Sequence, residues 1–253
     1  MSRFLCIAVL CALPFLAAWR QYTIPQATGA TATASSGGIT SGDLIACEYG
    51  IQSGATVSSF TDNLNASGYS LAVAHTFGAP FSWNYGIEYF ANSAHGSTDT
   101  ITLTNTSATQ FMGMACQAYK NVATSSPLDT NGTNNPGSAG ITTGTNPTSG
   151  NFQTTQNGEL VLGQLATQSV TPTAGNGTLI DSIPGEFQWP EYYVQATASA
   201  STTLTYTMSS DSWGMEWASF VSNGGTIALD GTCHSSTDNG ATSSTTIVVT
   251  ISC

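Results

Sequence analysis

Strict two-residue alternation recurs along this chain, and no segment sustains the three-to-four spacing of a helix. In "WNYGIEYF" (83–90) Trp83, Tyr85, Ile87 and Tyr89 fall on one side. In "TTLTYTM" (202–208) Leu204, Tyr206 and Met208 alternate with threonines. Similar runs are "DLIACEY" (43–49), "YSLAVAHTF" (69–77), "TITLTN" (100–105), "QFMGMACQAY" (110–119), "GELVLGQLA" (158–166), "EYYVQATA" (191–198) and "GMEWASFV" (214–221). Many short strands separated by Gly, Asn, Ser and Pro predict an all-β chain. The expected fold is an antiparallel β-sandwich, jelly-roll or immunoglobulin-like, with an extra C-terminal hairpin or strand.

Polarity comes from hydroxyl and amide residues. Only 7% of the 253 residues are charged, 40% are hydrophobic and 9% aromatic, enough for a packed core. The basic residues are Arg3, Arg20 and Lys120, against fourteen Asp and Glu, for a net charge of −11. Binding to phosphate depends on Lys and Arg, so nucleic acid and anionic membrane surfaces are poor partners.

The opening "MSRFLCIAVLCALPFLAAWR" has one Arg before an apolar run closed by Ala17 and Ala18. That is the layout of a signal peptide over 1–20, and it predicts a secreted or cell-surface protein. In an exported chain the four remaining cysteines, Cys47, Cys116, Cys233 and Cys253, are disulfide candidates. Cys47 and Cys116 sit in strand-like runs of the main body and the other two in the tail, so the simplest pairing is 47 with 116 and 233 with 253. No CxxC or HxxxH spacing occurs.

The body is expected to span 21–223. Residues 124–157 form a low-complexity excursion over its surface, with one short strand near 141–143. Residues 222–226, "SNGGT", separate off an extension over 224–253. Its last stretch, "STTIVVTISC", places Ile247, Val249 and Ile251 on one face of a strand. Three partners suit such a strand: the chain's own sandwich, the next subunit, or a second module of a longer tandem protein. Pairing with a neighbour would be strand addition, and head-to-tail repetition of it makes a filament.

The order "SGDLIACEYG" (41–50), "VSSFTDNLNASGYSLAVA" (57–74), "GIEYFANSAHGSTDTITLT" (86–104), "CQAYKNVATSSPLDTNG" (116–132), "NGELVLGQLA" (157–166) and "WASF" (217–220) resembles a recurrent β-sandwich module of bacterial secreted and surface proteins. The resemblance covers roughly 22–222. It implies an antiparallel sandwich, often in tandem, and carries over no catalytic residue. The 224–253 layout is similar to the opening hairpin of such a module.

Three candidate sites remain. Phe187, Trp189, Tyr192 and Tyr193 crowd "IPGEFQWPEYY", and a Trp beside Pro in a loop is expected to be partly exposed, as a sugar platform. Glu191 and Glu216 are the carboxylate pair a glycoside hydrolase would need; the plainer expectation is two solvent-facing strand positions. "LDTNGTNN" (128–135) offers Asp129, Asn131 and Thr133 as oxygen ligands for Ca²⁺, with a plain turn the simpler reading. No nucleophile elbow is present. The leading expectation is a non-enzymatic structural or adhesive surface module that self-associates, with glycan binding as the alternative.

Overall fold

A computed structural model describes residues 39–52, 56–65, 68–78, 83–94, 96, 98–109, 112–134, 142–180, 188–233 and 244–252. The expected signal peptide, Phe187 and Cys253 lie outside these residues. All regular elements among them are strands: β1 (Leu44–Gln52), β2 (Val57–Asp62), β3 (Ser70–Phe77), β4 (Trp83–Phe90), β5 (Thr98–Thr109), β6 (Met112–Lys120), β7 (Leu128–Asn134), β8 (Thr142–Gly144) and β9 (Phe152–Thr154). There follow β10 (Glu159–Thr167), β11 (Thr173–Ala174), β12 (Thr178–Leu179), β13 (Gln188–Gln195), β14 (Ser199–Thr202), β15 (Tyr206–Thr207), β16 (Asp211–Phe220), β17 (Ala228–Cys233) and β18 (Ser244–Ser252). No helix among the described residues is long and apolar enough to cross a membrane.

Among the described residues three larger sheets and two two-stranded ones (β11-β15 and β14-β9) form, and every pairing is antiparallel. A central sheet runs β17-β6-β1-β4-β3, a second β12-β13-β10-β16-β7 with β8 also on β16, and a third β18-β5-β2. Alternation along β1 shows how they stack. Ile45, Cys47, Tyr49 and Ile51 pack with Phe60, Ile101 and Leu103 of the third sheet. Leu44 and Ala46 pack with Leu160, Leu162, Ala218 and Phe220 of the second. The central sheet is therefore covered on both faces, which is why "LIACEYG" reads as a continuous buried run. The second sheet is covered too: Leu204, Tyr206, Met208 and Phe152 close over its outer face on Val161, Leu165, Met215 and Trp217.

The expected sandwich is present, with local corrections. Residues 124–157 do more than wander over the surface, since β7 is a full strand along β16. The 202–208 run is split between two short edge strands, because its alternating Leu204, Tyr206 and Met208 cap a face instead of joining a long ladder. Gly214 lets the two large sheets approach: a Cβ there would lie 2.2 Å from the Phe77 ring.

Candidate functional site

The C-terminal strand finds its partner within the chain. β18 runs antiparallel to β5 with Ile247 opposite Leu103, Val249 opposite Ile101 and Ile251 opposite Asp99. Among the described residues it is the outermost strand of the third sheet, with β2 on the far side of β5. Its companion β17 lies along β6, at the edge of the central sheet. The two tail strands thus cover neighbouring edges of two sheets, β6 and β5. Without them, both edges would present unpaired backbone donors and acceptors.

β17 is pinned to the body by charge. Asp230 pairs with Lys120 and accepts a hydrogen bond from Thr40 Oγ1 at 3.0 Å. Burial raises the Asp230 carboxyl, but its bonds to Lys120, Asp43 and Thr40 leave it below its usual range. Asp43 is pushed up to about 7 by burial and by its contact with Asp230. Asn223 N–H also bonds Asn121 O at 2.9 Å, holding the approach to β17. Between β17 and β18 the sequence runs through the ten small and polar residues of "HSSTDNGATS".

The disulfide expected between Cys47 and Cys116 forms, linking β1 to β6 across a Cα–Cα distance of 4.1 Å. It is compatible with an oxidising, extracellular setting. Cys233 ends β17 opposite Cys116; its expected partner, Cys253, lies outside the described residues.

Trp189, Tyr192 and Tyr193 of the expected aromatic platform do not share an exposed face. Trp189 is only 1% exposed and donates from Nε1 to Thr167 Oγ1 at 2.8 Å, while its carbonyl accepts from Tyr206 O–H at 2.7 Å. The reason is that "QWPEYYVQ" is strand β13 and not a loop; Pro190 sits where the β12 ladder ends, and its carbonyl accepts from Ile180 N–H at 2.9 Å. Tyr192 and Tyr193 then point to opposite faces: Tyr192 meets the ring of Tyr119, and Tyr193 O–H lies 2.6 Å from Thr202 Oγ1.

The carboxylate pair is also undone by register. Glu191 stands opposite Gly163, and Glu216 opposite Gln164, so consecutive residues of β10 place them on opposite faces of the sheet. They cannot act on one bond as a glycosidase pair. Neither faces solvent, because both faces of the sheet are covered. Burial pushes Glu191 up to about 8. Glu216 rises well above the usual range through burial and then through the nearby Glu48.

Glu48 and Glu216 belong to a polar layer between the two large sheets that periodicity did not reveal. Gln164 donates from Nε2 to Gln188 Oε1 at 3.0 Å and to Tyr49 O at 3.2 Å. Among the described residues neither Glu216 oxygen has a hydrogen-bond partner. The signal available was a Glu inside each of two apolar runs, "IACEYG" and "GMEWAS", in a chain with few charges. Asp129 lies on strand β7 and not in the plain turn expected, and its oxygens accept from Thr155 N–H at 3.0 Å and Thr155 Oγ1 at 2.7 Å. Among the described residues no group of three or more His, Cys, Asp or Glu is placed to hold a metal ion.

On the side away from β17 and β18, the edges β2 and β3 leave a cleft of about 510 Å³ lined by Tyr49, Phe60, Tyr69, His75, Asn84 and Glu88 among others. Leu71 on its border is 53% exposed. Burial pushes Glu88 up to about 7 and holds His75 below its usual value. Ring faces with a carboxyl and an amide suit a small polar ligand.

No family model, no curated protein and no solved structure matches this chain.

Proposed function

We propose that this chain is an exported structural or adhesive surface module that assembles through its C-terminal strand. In an isolated chain β18 closes its own β5 edge. In an assembly the same strand closes the β5 edge of a neighbour. The observation that carries this reading is the ladder from Ser244↔Thr109 to Ser252↔Thr98, made by an outermost strand. Backbone bonds supply the affinity and alternate side chains the register. Exchange between copies repeats one heterologous contact, and a heterologous contact that does not close extends into a fibre.

Peptide capture tests the acceptor edge. A chain ending at residue 243 should bind a synthetic 244–252 peptide and gain thermal stability from it. The full chain, its edge already closed, should bind far less. A truncated, folded chain that ignores the peptide would refute the reading.

The second reading keeps a glycan ligand but moves it. The cleft at Tyr49, Tyr69, Asn84 and Glu88 is a concave place where rings and polar groups meet. Retention on a glycan array that survives Asn84→Ala and Glu88→Ala together would remove this reading.

A further inference from the structure

Cys116 has a cysteine opposite it on both neighbouring strands: Cys47 on β1 and Cys233 on β17. On the far side of Cys47, β4 places Glu88 opposite. One row across four adjacent strands of the central sheet therefore reads Glu88, Cys47, Cys116, Cys233. Positions directly opposite in a ladder share a face. For Cys47 and Cys116 that is the face packed against the third sheet, where they lie with Ile101 and Leu103.

Pair geometry allows Cys116 either partner. An antiparallel residue directs its N–H and C=O to one neighbour, so it makes a close pair on one side and a hydrogen-bonded pair on the other. The 4.1 Å separation from Cys47 marks the close pair. The pair with Cys233 is then the hydrogen-bonded kind, with Cα atoms about 5.5 Å apart, inside the range a disulfide spans.

We propose that Cys47, Cys116 and Cys233 form a thiol–disulfide exchange site, in which the bond to Cys116 passes between Cys47 and Cys233. The Cys233 thiolate attacks Cys116 Sγ, the Cys116–Cys233 bond forms, the Cys47–Cys116 bond breaks, and Cys47 leaves as thiolate. The proton given up by Cys233 is balanced by one taken up at Cys47, and no electrons leave the protein. Glu88, buried beside Cys47 at the cleft, is placed to donate that proton. In the exchanged form the last residue of β17 is bonded to the body, which fixes the root of the arm that carries β18. The exchange holds whether β18 stays at home or moves to a neighbour.

The test is disulfide mapping of the full chain by pepsin digestion at acid pH and mass spectrometry. Wild type treated with a substoichiometric amount of reduced glutathione, then alkylated, should yield the Cys116–Cys233 peptide with Cys47 alkylated. A Cys47→Ser chain made under oxidising conditions should carry Cys116–Cys233 as its main bond. Glu88→Gln should slow the exchange severalfold and leave the pairs unchanged; an equal rate would remove Glu88 from the step. Wild type that retains only Cys47–Cys116 after glutathione, or Cys233 bonded solely to Cys253, would overturn the proposal. The wild-type arm decides the matter even where Cys47→Ser fails to fold.

Discussion

Val249 of the C-terminal strand stands opposite Ile101 of β5, and Ile101 is wholly buried in the core between the third and central sheets. The ladder of the tail thus runs beside a core strand of the body, and losing it uncovers that strand's edge.

Consecutive N–H groups of a strand point to opposite sides, so one of any adjacent pair in β18 faces β5. Val248→Pro with Val249→Pro removes both donors and should detach the strand while leaving the body folded. The Cys47–Cys116 bond, on the face that the third sheet covers, should then be reduced by dithiothreitol several times faster than in wild type. Timed alkylation reads this directly, and an unchanged rate would mean that β18 does not shield the row.

Buried carboxyls set the pH dependence. Asp43, Glu88 and Asp99 are raised to about 7 and Glu191 to about 8, each chiefly by burial. Between the ordinary carboxyl range near 4 and these values, the folded chain holds more protons than the unfolded one. Their contribution is full below about pH 4 and is lost as pH rises through about 7 to 8. The Tm should fall from pH 5 to pH 8, and a Tm that rises over this range contradicts the burial of these groups.

Glu216 finds no hydrogen-bond partner for either oxygen among the described residues and lies near Glu48. Glu216→Gln keeps the shape and removes the charge that the site resists. It should raise Tm at pH 8 by about 2 °C or more, with a smaller gain at pH 5. A loss of stability at pH 8 would show that the carboxylate is paired in solution.

Trp189 is a core residue under Leu204 and Tyr206. Trp189→Ala should cost about 3–5 kcal/mol of unfolding free energy in denaturant titration. Intact stability with loss of glycan retention would restore the platform that burial removes.

Close approach of the two large sheets depends on a missing Cβ at Gly214, beside the Phe77 ring. Gly214→Ala should destabilise by about 1–3 kcal/mol through forced displacement of that ring, measured by the same titration.

Much of the architecture is legible in the sequence, and its failures have one cause. Alternation in "WNYGIEYF" and "STTIVVTISC" located real strands, and the positions of Cys47 and Cys116 led to the disulfide. Period-two reasoning assumes one wet face. Here both large sheets are covered on both sides, so Trp189, Glu191 and Glu216, each expected toward water, are buried. The row Glu88, Cys47, Cys116, Cys233 is invisible along the chain, since it exists only through the register of four strands brought together from distant segments. Periodicity likewise leaves the partner of the final strand open, since it fixes a face and names no neighbour.

The central claim is assembly through β18. Negative-stain microscopy of the full chain, beside a chain ending at residue 243, tests it most directly. Filaments or a ladder of oligomers from the full chain, with monomers from the truncation, are the expected result. Monomers from both, at concentrations where the truncated chain captures the 244–252 peptide, would contradict it and leave β18 a strand that serves its own sheet alone.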